Sequence, residues 1–185
     1  MIHAAVTIDP AIAILILAGV ALLFTAAAVH KFRDLRRFDE IFAAYGLFPS
    51  SARPVLSRLV PPIEAAVAAG LSVNALRTAA VCVGILMLVA YAAAIAVNLL
   101  RGRSDLACGC GGPDDRRPIA AWMVCRNILI AALLVMALLP WSARPLVATD
   151  AVTIVFGILT CTLVYLCLDR LLGRTGRLTA AMRMS

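Results

Sequence analysis

Two cysteines one residue apart, Cys108 and Cys110 with Gly109 between them, stand in a short polar loop of an otherwise apolar chain, and Gly111 and Gly112 follow at once. A disulfide wants its two Cα atoms about 4.4–6.8 Å apart, so residues i and i+2 close on each other only in a tight turn. Glycine between them accepts the dihedrals such a turn needs. Strained, exposed disulfides are the labile ones used for exchange rather than stapling. Arg101, Arg103, Arg116 and Arg117 in the same loop favour thiolates, and Asp105, Asp114 and Asp115 partly offset them. Two other readings stand beside redox exchange. The pair is incidental to a glycine-rich turn, or it holds a metal; closed metal sites take about four ligands and this loop offers two thiols.

The other four cysteines, Cys82, Cys125, Cys161 and Cys167, fall in apolar segments, where the default role is packing. Cys125 is the candidate second redox cysteine, because it sits roughly 9 Å along its helix from the loop side. Ionisable residues within spans usually face a partner or a cavity. Glu64 and Arg126 are such residues, both on the order of 10–13 Å deep from the loop side. The expectation is that they pair, with Asn127 and Asn98 as polar neighbours. Such a pair serves as a clamp between helices or as a polar floor below the cysteines. Pro61-Pro62, just before Glu64, is expected to kink its helix and free backbone carbonyls.

The elements that must position these groups are membrane helices. The chain has 185 residues, 63% hydrophobic, and only 15% charged, where a soluble domain carries about 25%. A span needs about 20 mostly apolar residues. Five segments qualify: 11–29, 55–73, 78–100, 119–139 and 151–172. They form one integral membrane domain with no room for a separate soluble one. The first run lacks the basic start of a signal peptide and is too long for an h-region, so it reads as a span. Between the first two spans, 34–48 alternates Phe38, Ile41, Phe42 and Tyr45 with charged residues at helical spacing. That is an amphipathic interfacial helix, either a connector that shields loop ends or a lid over a site.

Charge follows the same logic. The net charge of +7 comes from arginines flanking apolar runs, a membrane pattern rather than a nucleic-acid one. With five spans, segments 31–54 and 101–118 and the C-terminal tail share one side and hold twelve positive residues; the other side has Arg77 and Arg144. The positive-inside rule then places the C-terminus and the Cys108 loop in the cytoplasm.

Several of these residues together look familiar. A first span ends in a charged amphipathic segment, a second carries Pro61-Pro62-Ile63-Glu64, a third leads into Cys108-Gly109-Cys110-Gly111-Gly112, and a fourth carries Arg126-Asn127. This resembles the MauE branch of the DoxX-like membrane proteins, over most of the chain from the first span to the fourth. The resemblance implies an all-α, DoxX-like four-helix core plus a fifth C-terminal transmembrane helix, in the bacterial inner membrane. It implies a membrane redox protein needed for disulfide formation in a cysteine-rich extracytoplasmic client, such as a subunit of methylamine dehydrogenase, working with a thioredoxin-like (MauD-like) partner. Cys108 and Cys110 would be the exchanging pair, with Gly109, Glu64, Arg126 and Asn127 in support. The plan is also similar to vitamin K epoxide reductase, where a quinone takes the electrons, so a quinone enters as a candidate cofactor. Two departures are visible: the family often has a bulky residue where Gly111 stands, and the chain lacks a second cysteine pair in its first loop.

Three functions therefore compete: a thiol–disulfide oxidoreductase, a non-catalytic docking or assembly subunit, and a DoxX-type quinone-linked oxidase subunit. One conflict runs through them. The arginine distribution puts the cysteine loop inside, whereas an exported client wants it outside.

Overall fold

The computed structural model describes residues 7–109 and 118–182. Among them are six helices and no strand: α1 (Pro10–Arg33), α2 (Leu35–Ala44), α3 (Arg53–Leu71), α4 (Arg77–Leu100), α5 (Ala121–Met136) and α6 (Ala148–Met182). Four segments are long and apolar enough to cross a membrane, namely α1, α3, α4 and the Ala148–Leu168 part of α6. The expected fourth span, 119–139, is helical only over Ala121–Met136. Sixteen residues rise about 24 Å, short of the roughly 30 Å hydrocarbon core. Extended Ala120 before the helix and a turn at 137–138 after it complete the path. Ile119 N donates to Leu106 O (2.9 Å) at one end of the bundle, and Ile8 N donates to Pro140 O (2.9 Å) at the other.

The helix ends follow from local chemistry. Asp9 caps α1 by accepting from Ala11 N (2.8 Å), with Pro10 at the first helical position. His30, Lys31 and Arg33 fill its last turn, where the helix dipole favours cations. Asp34 ends α1 in an extended conformation and starts α2, its side chain accepting from Arg37 N (3.0 Å). α3 runs on through Pro61-Pro62 from Arg53 to Leu71 without a break. The two prolines lack N–H groups, so the carbonyls of Ser57 and Arg58 receive no helical donor from them.

The helices approach closely because small residues stand where they cross. A Cβ on Gly70 would lie 2.8 Å from the Ala80 Cβ, and one on Gly84 would lie 3.3 Å from both Leu134 and Val67. One core, built on Leu17, Phe24, Val67, Val81, Leu88 and Leu134, fills the middle of α1, α3, α4 and α5. A second, Tyr45, Ile95, Leu106, Ile119 and Met123, fills the end under α2. α6 stands outside both. Gly157 admits Leu15 of α1, and Arg144 ties the start of α6 to the start of α1 by bonding Asp9 and Asp150, at 2.7 Å each.

Candidate functional site

The cysteine loop leaves the bundle through a pinned neck. Leu106 and Ile119 are buried, and Ala107 and Pro118 form an antiparallel bridge. Cys108 follows directly and is disulfide-bonded; Cys110 lies outside the described residues. Gly109 has φ +71°, the left-handed region that glycine enters cheaply, and a Cβ there would lie 3.2 Å from Ile41 Cγ2 of α2. Glycine is thus favoured by its dihedral and suited to the close approach of Ile41. The Tyr45 hydroxyl, at the end of α2, donates to Cys108 O (3.4 Å). Burial pushes the Tyr45 phenol up to about 12.

The remaining cysteines are elsewhere. Cys82, Cys125, Cys161 and Cys167 are free and exposed on the outside of the bundle. They are therefore not the packed core cysteines that apolar context suggested. Cys125, the candidate second redox cysteine, lies on this outer face and not on the wall beside Cys108.

That wall belongs to a cavity of about 90 Å³ beneath α2. Phe38, Ile41 and Phe42 of α2, Tyr45 at its C-cap, Tyr91, Ala94 and Ile95 of α4, Lys31 of α1, and Cys108 with Gly109 line it. Phe42 stacks on Phe48 with centroids 5.5 Å apart. The amphipathic helix thus covers a cavity that contains the cysteine, which favours the lid reading over the plain connector.

Glu64 has a buried cation as partner, but it is Lys31. Lys31 Nζ donates to Glu64 Oε1 (2.5 Å), and the Tyr91 hydroxyl donates to the same oxygen (2.7 Å). Lys31 and Glu64 are buried, and the Lys31 ammonium lies 5.3 Å from the Phe38 ring centre and 5.5 Å from that of Tyr91. The expected Glu64–Arg126 pair does not form. Arg126 turns outward to α6, donating to the Tyr165 hydroxyl (3.1 Å) and lying over the rings of Trp122 and Tyr165. The reason is angular: its neighbour Asn127 occupies the buried stripe of α5 with Met123, Ala131 and Leu134, and Arg126 is one residue off it.

The two asparagines also divide. Both are buried. Asn98 donates to Ala94 O (3.1 Å) and accepts from Arg103 (3.4 Å), whose other nitrogen donates to Ala44 O (2.7 Å) at the end of α2. Arg103 therefore straps the lid helix to α4. Sequence reasoning missed Lys31 and Tyr91 as parts of this site, and gave Tyr45 and Arg103 only as members of the amphipathic pattern and of the cysteine loop.

The family described as "Methylamine utilisation protein MauE" matches residues 9–142, which take in α1 to α5 and the cysteine loop. A methylamine utilization protein MauE of Paracoccus denitrificans is 35% identical over 161 residues, 86% of this chain and 87% of the relative. One from Methylophilus methylotrophus is 31% identical over 167 residues, covering 89% and 88%. One from Paracoccus versutus is 34% identical over 135 residues, 72% of each. No solved structure matches. With four helices fit to cross a bilayer and a family match over most of its length, this chain belongs to the MauE family of membrane proteins.

Proposed function

We propose that the chain is a membrane thiol–disulfide oxidoreductase of methylamine utilisation, the process its relatives are named for. It would exchange through Cys108 and Cys110 with a thioredoxin-like partner and so support disulfide formation in an extracytoplasmic client. The observation that carries the reading is Cys108. It is disulfide-bonded, whereas Cys82, Cys125, Cys161 and Cys167 are free, and it lies on the wall of a covered cavity. A partner thiolate attacks one sulfur of the pair, the other leaves as thiolate, and a mixed disulfide forms. The partner's second thiolate then attacks that bond. The partner ends as a disulfide, and this chain's pair carries two electrons as a dithiol. Replacing Cys108 by Ser in a strain that needs the client's disulfides should abolish client oxidation. Wild-type levels of oxidised client in that strain would sink the proposal.

Sidedness is part of it. The twelve positive residues on the Cys108 side argue for the cytoplasm, and the exported client for the other face. An impermeant thiol reagent applied to intact, mildly reduced cells reads the answer, and labelling of Cys108 from outside is the result expected here.

The second reading, a docking subunit, draws on α6. None of its most apolar window is buried against the rest of the chain. In that case the double Cys108→Ser, Cys110→Ser variant keeps full function, and lesions on the outer face of α6 abolish it.

A further inference from the structure

We infer that the two sulfurs of the redox pair do different work: an incoming thiolate attacks Cys110, and Cys108 leaves as a thiolate stabilised by the positive end of the Lys31–Glu64 pair. This rests on the exchange reading above, in which Cys110 is the bonded partner of Cys108, and adds to it the direction of attack.

Access decides which sulfur is attacked. Cys108 is half-buried and packs against the second core, that of Tyr45, Ile95, Leu106, Ile119 and Met123. The Tyr45 hydroxyl holds its carbonyl, and Ile41 of α2 presses on Gly109 beside it. The cavity on that wall measures about 90 Å³. An apolar cavity that takes up benzene measures roughly 150 Å³. A thiol carried on a partner protein therefore does not fit against Cys108. Displacement at sulfur also sets the entering and leaving sulfurs in line, which asks for still more room behind the one attacked. Cys110 is left as the sulfur under attack.

Charge decides which sulfur leaves. Three titratable side chains line the cavity with Cys108, namely Lys31 of α1, Tyr45 at the C-cap of α2 and Tyr91 of α4, and of these Lys31 is the cation. Glu64 of α3 bonds the ammonium from behind and, among the described residues, is not part of the wall. The pair is thus a dipole with its positive end towards the cavity. Arg103, the described arginine nearest to Cys108 in sequence, is bound to Asn98 and Ala44 instead. Charges interact more strongly across apolar walls than through water. A neighbouring lysine favours a thiolate, and a less basic thiolate leaves faster. In the step itself the incoming sulfur bonds to Cys110 Sγ, the bond to Cys108 breaks, and its electron pair goes to Cys108 Sγ. The partner's second thiolate then attacks the partner's own sulfur, and Cys110 leaves in turn.

Glutathione is the probe, added in shortage to the oxidised full-length chain in detergent. Early quenching with acid, alkylation and peptide mapping locate the adduct. Glutathione on Cys110, with Cys108 alkylated in the same peptide, should exceed the reverse product by about tenfold. Equal products, or a majority on Cys108, overturn the inference and leave the exchange reading standing. A pair that glutathione does not open overturns the exchange reading as well. Lys31 is read separately, from the pH profile of iodoacetamide alkylation at residue 108 in Cys110→Ser. Lys31→Met together with Glu64→Gln removes the dipole without orphaning a buried charge. That change should raise the pH of half-maximal rate by about one pH unit. It should leave the profile at residue 110 in Cys108→Ser in place, whereas a general loosening of the bundle would move both. An unmoved profile at residue 108, or equal movement at both, overturns the inference.

Discussion

Lys31 and Glu64 lie 33 residues apart in sequence and 2.5 Å apart in the bundle, a cation of α1 closed onto a carboxylate of α3 with the Tyr91 hydroxyl on the same oxygen. Burying both charges is costly, and the attraction between them offsets that cost only while both are present.

Removing one partner should therefore hurt more than removing both. Glu64→Gln or Lys31→Met alone is expected to destabilise the bundle by about 3–5 kcal/mol, the usual penalty for orphaning a buried charge. The double variant should recover a substantial part of that. Unfolding in mixed detergent micelles, run as a double-mutant cycle, measures the coupling. Additive losses would show that the two residues act independently.

Gly109 makes a sharper local test. Any side chain there meets both a left-handed backbone, about 1–2 kcal/mol for an L-residue, and the 3.2 Å approach to Ile41. Gly109→Ala should slow reaction of the reduced pair with a small disulfide reagent severalfold. Adding Ile41→Ala should restore part of the rate, because it relieves the contact and leaves the dihedral strained. A second change without effect would mean that the lid helix does not press on this loop.

Tyr45 gives a pH signature. Its phenol is pushed up to about 12 from an ordinary value of 10.0 by burial. The folded state therefore holds its proton where the unfolded chain has lost it. Stability is unaffected below about pH 10 and falls as pH rises from there towards 12. Tyr45→Phe should remove this part of the alkaline loss. It should also be less stable near neutrality by about 0.5–1.5 kcal/mol, for the bond to Cys108 O. Melting temperatures of the two proteins across pH 8–12 decide it; parallel curves would contradict the assignment.

Arg144 ties three pieces of chain together through Asp9 and Asp150. Arg144→Gln should loosen the segment between Trp141 and Ala148, so limited proteolysis there should run severalfold faster, with α1 to α5 unchanged. An unchanged cleavage rate would mean that the other contacts of α6, Gly157 on Leu15 and Tyr165 on Arg126, hold it without Arg144.

Much of this was legible in the chain. The apolar runs located α1, α3 and α4, off by two residues at each end of α3 and by four at the end of α1, and the amphipathic pattern of 34–48 located the helix that covers the cavity. The wrong partner for Glu64 came from depth alone, which says how far in a residue lies and not which way it faces. The buried stripe of α1 runs Leu17, Val20, Phe24, Ala28, Lys31, and that of α3 runs Ser57, Pro61, Glu64, Ala68, Leu71. Helical spacing thus puts Lys31 and Glu64 on facing stripes and leaves Arg126 off its own. Lys31 was hidden because it sits in His30-Lys31-Phe32-Arg33, which reads as the charged stop at the end of a span. Tyr45 shows only as one apolar position of the amphipathic pattern and Tyr91 carries no short-range signal; the cavity joins them only after α2 folds back over α4.

Asp34 is at once the C-cap of α1 and the N-cap of α2. The joint between them has no slack. Any displacement of α2 would pivot three residues from Lys31, on the turn that carries it. The covering of the cavity and the position of its ammonium would then be geared through a single aspartate.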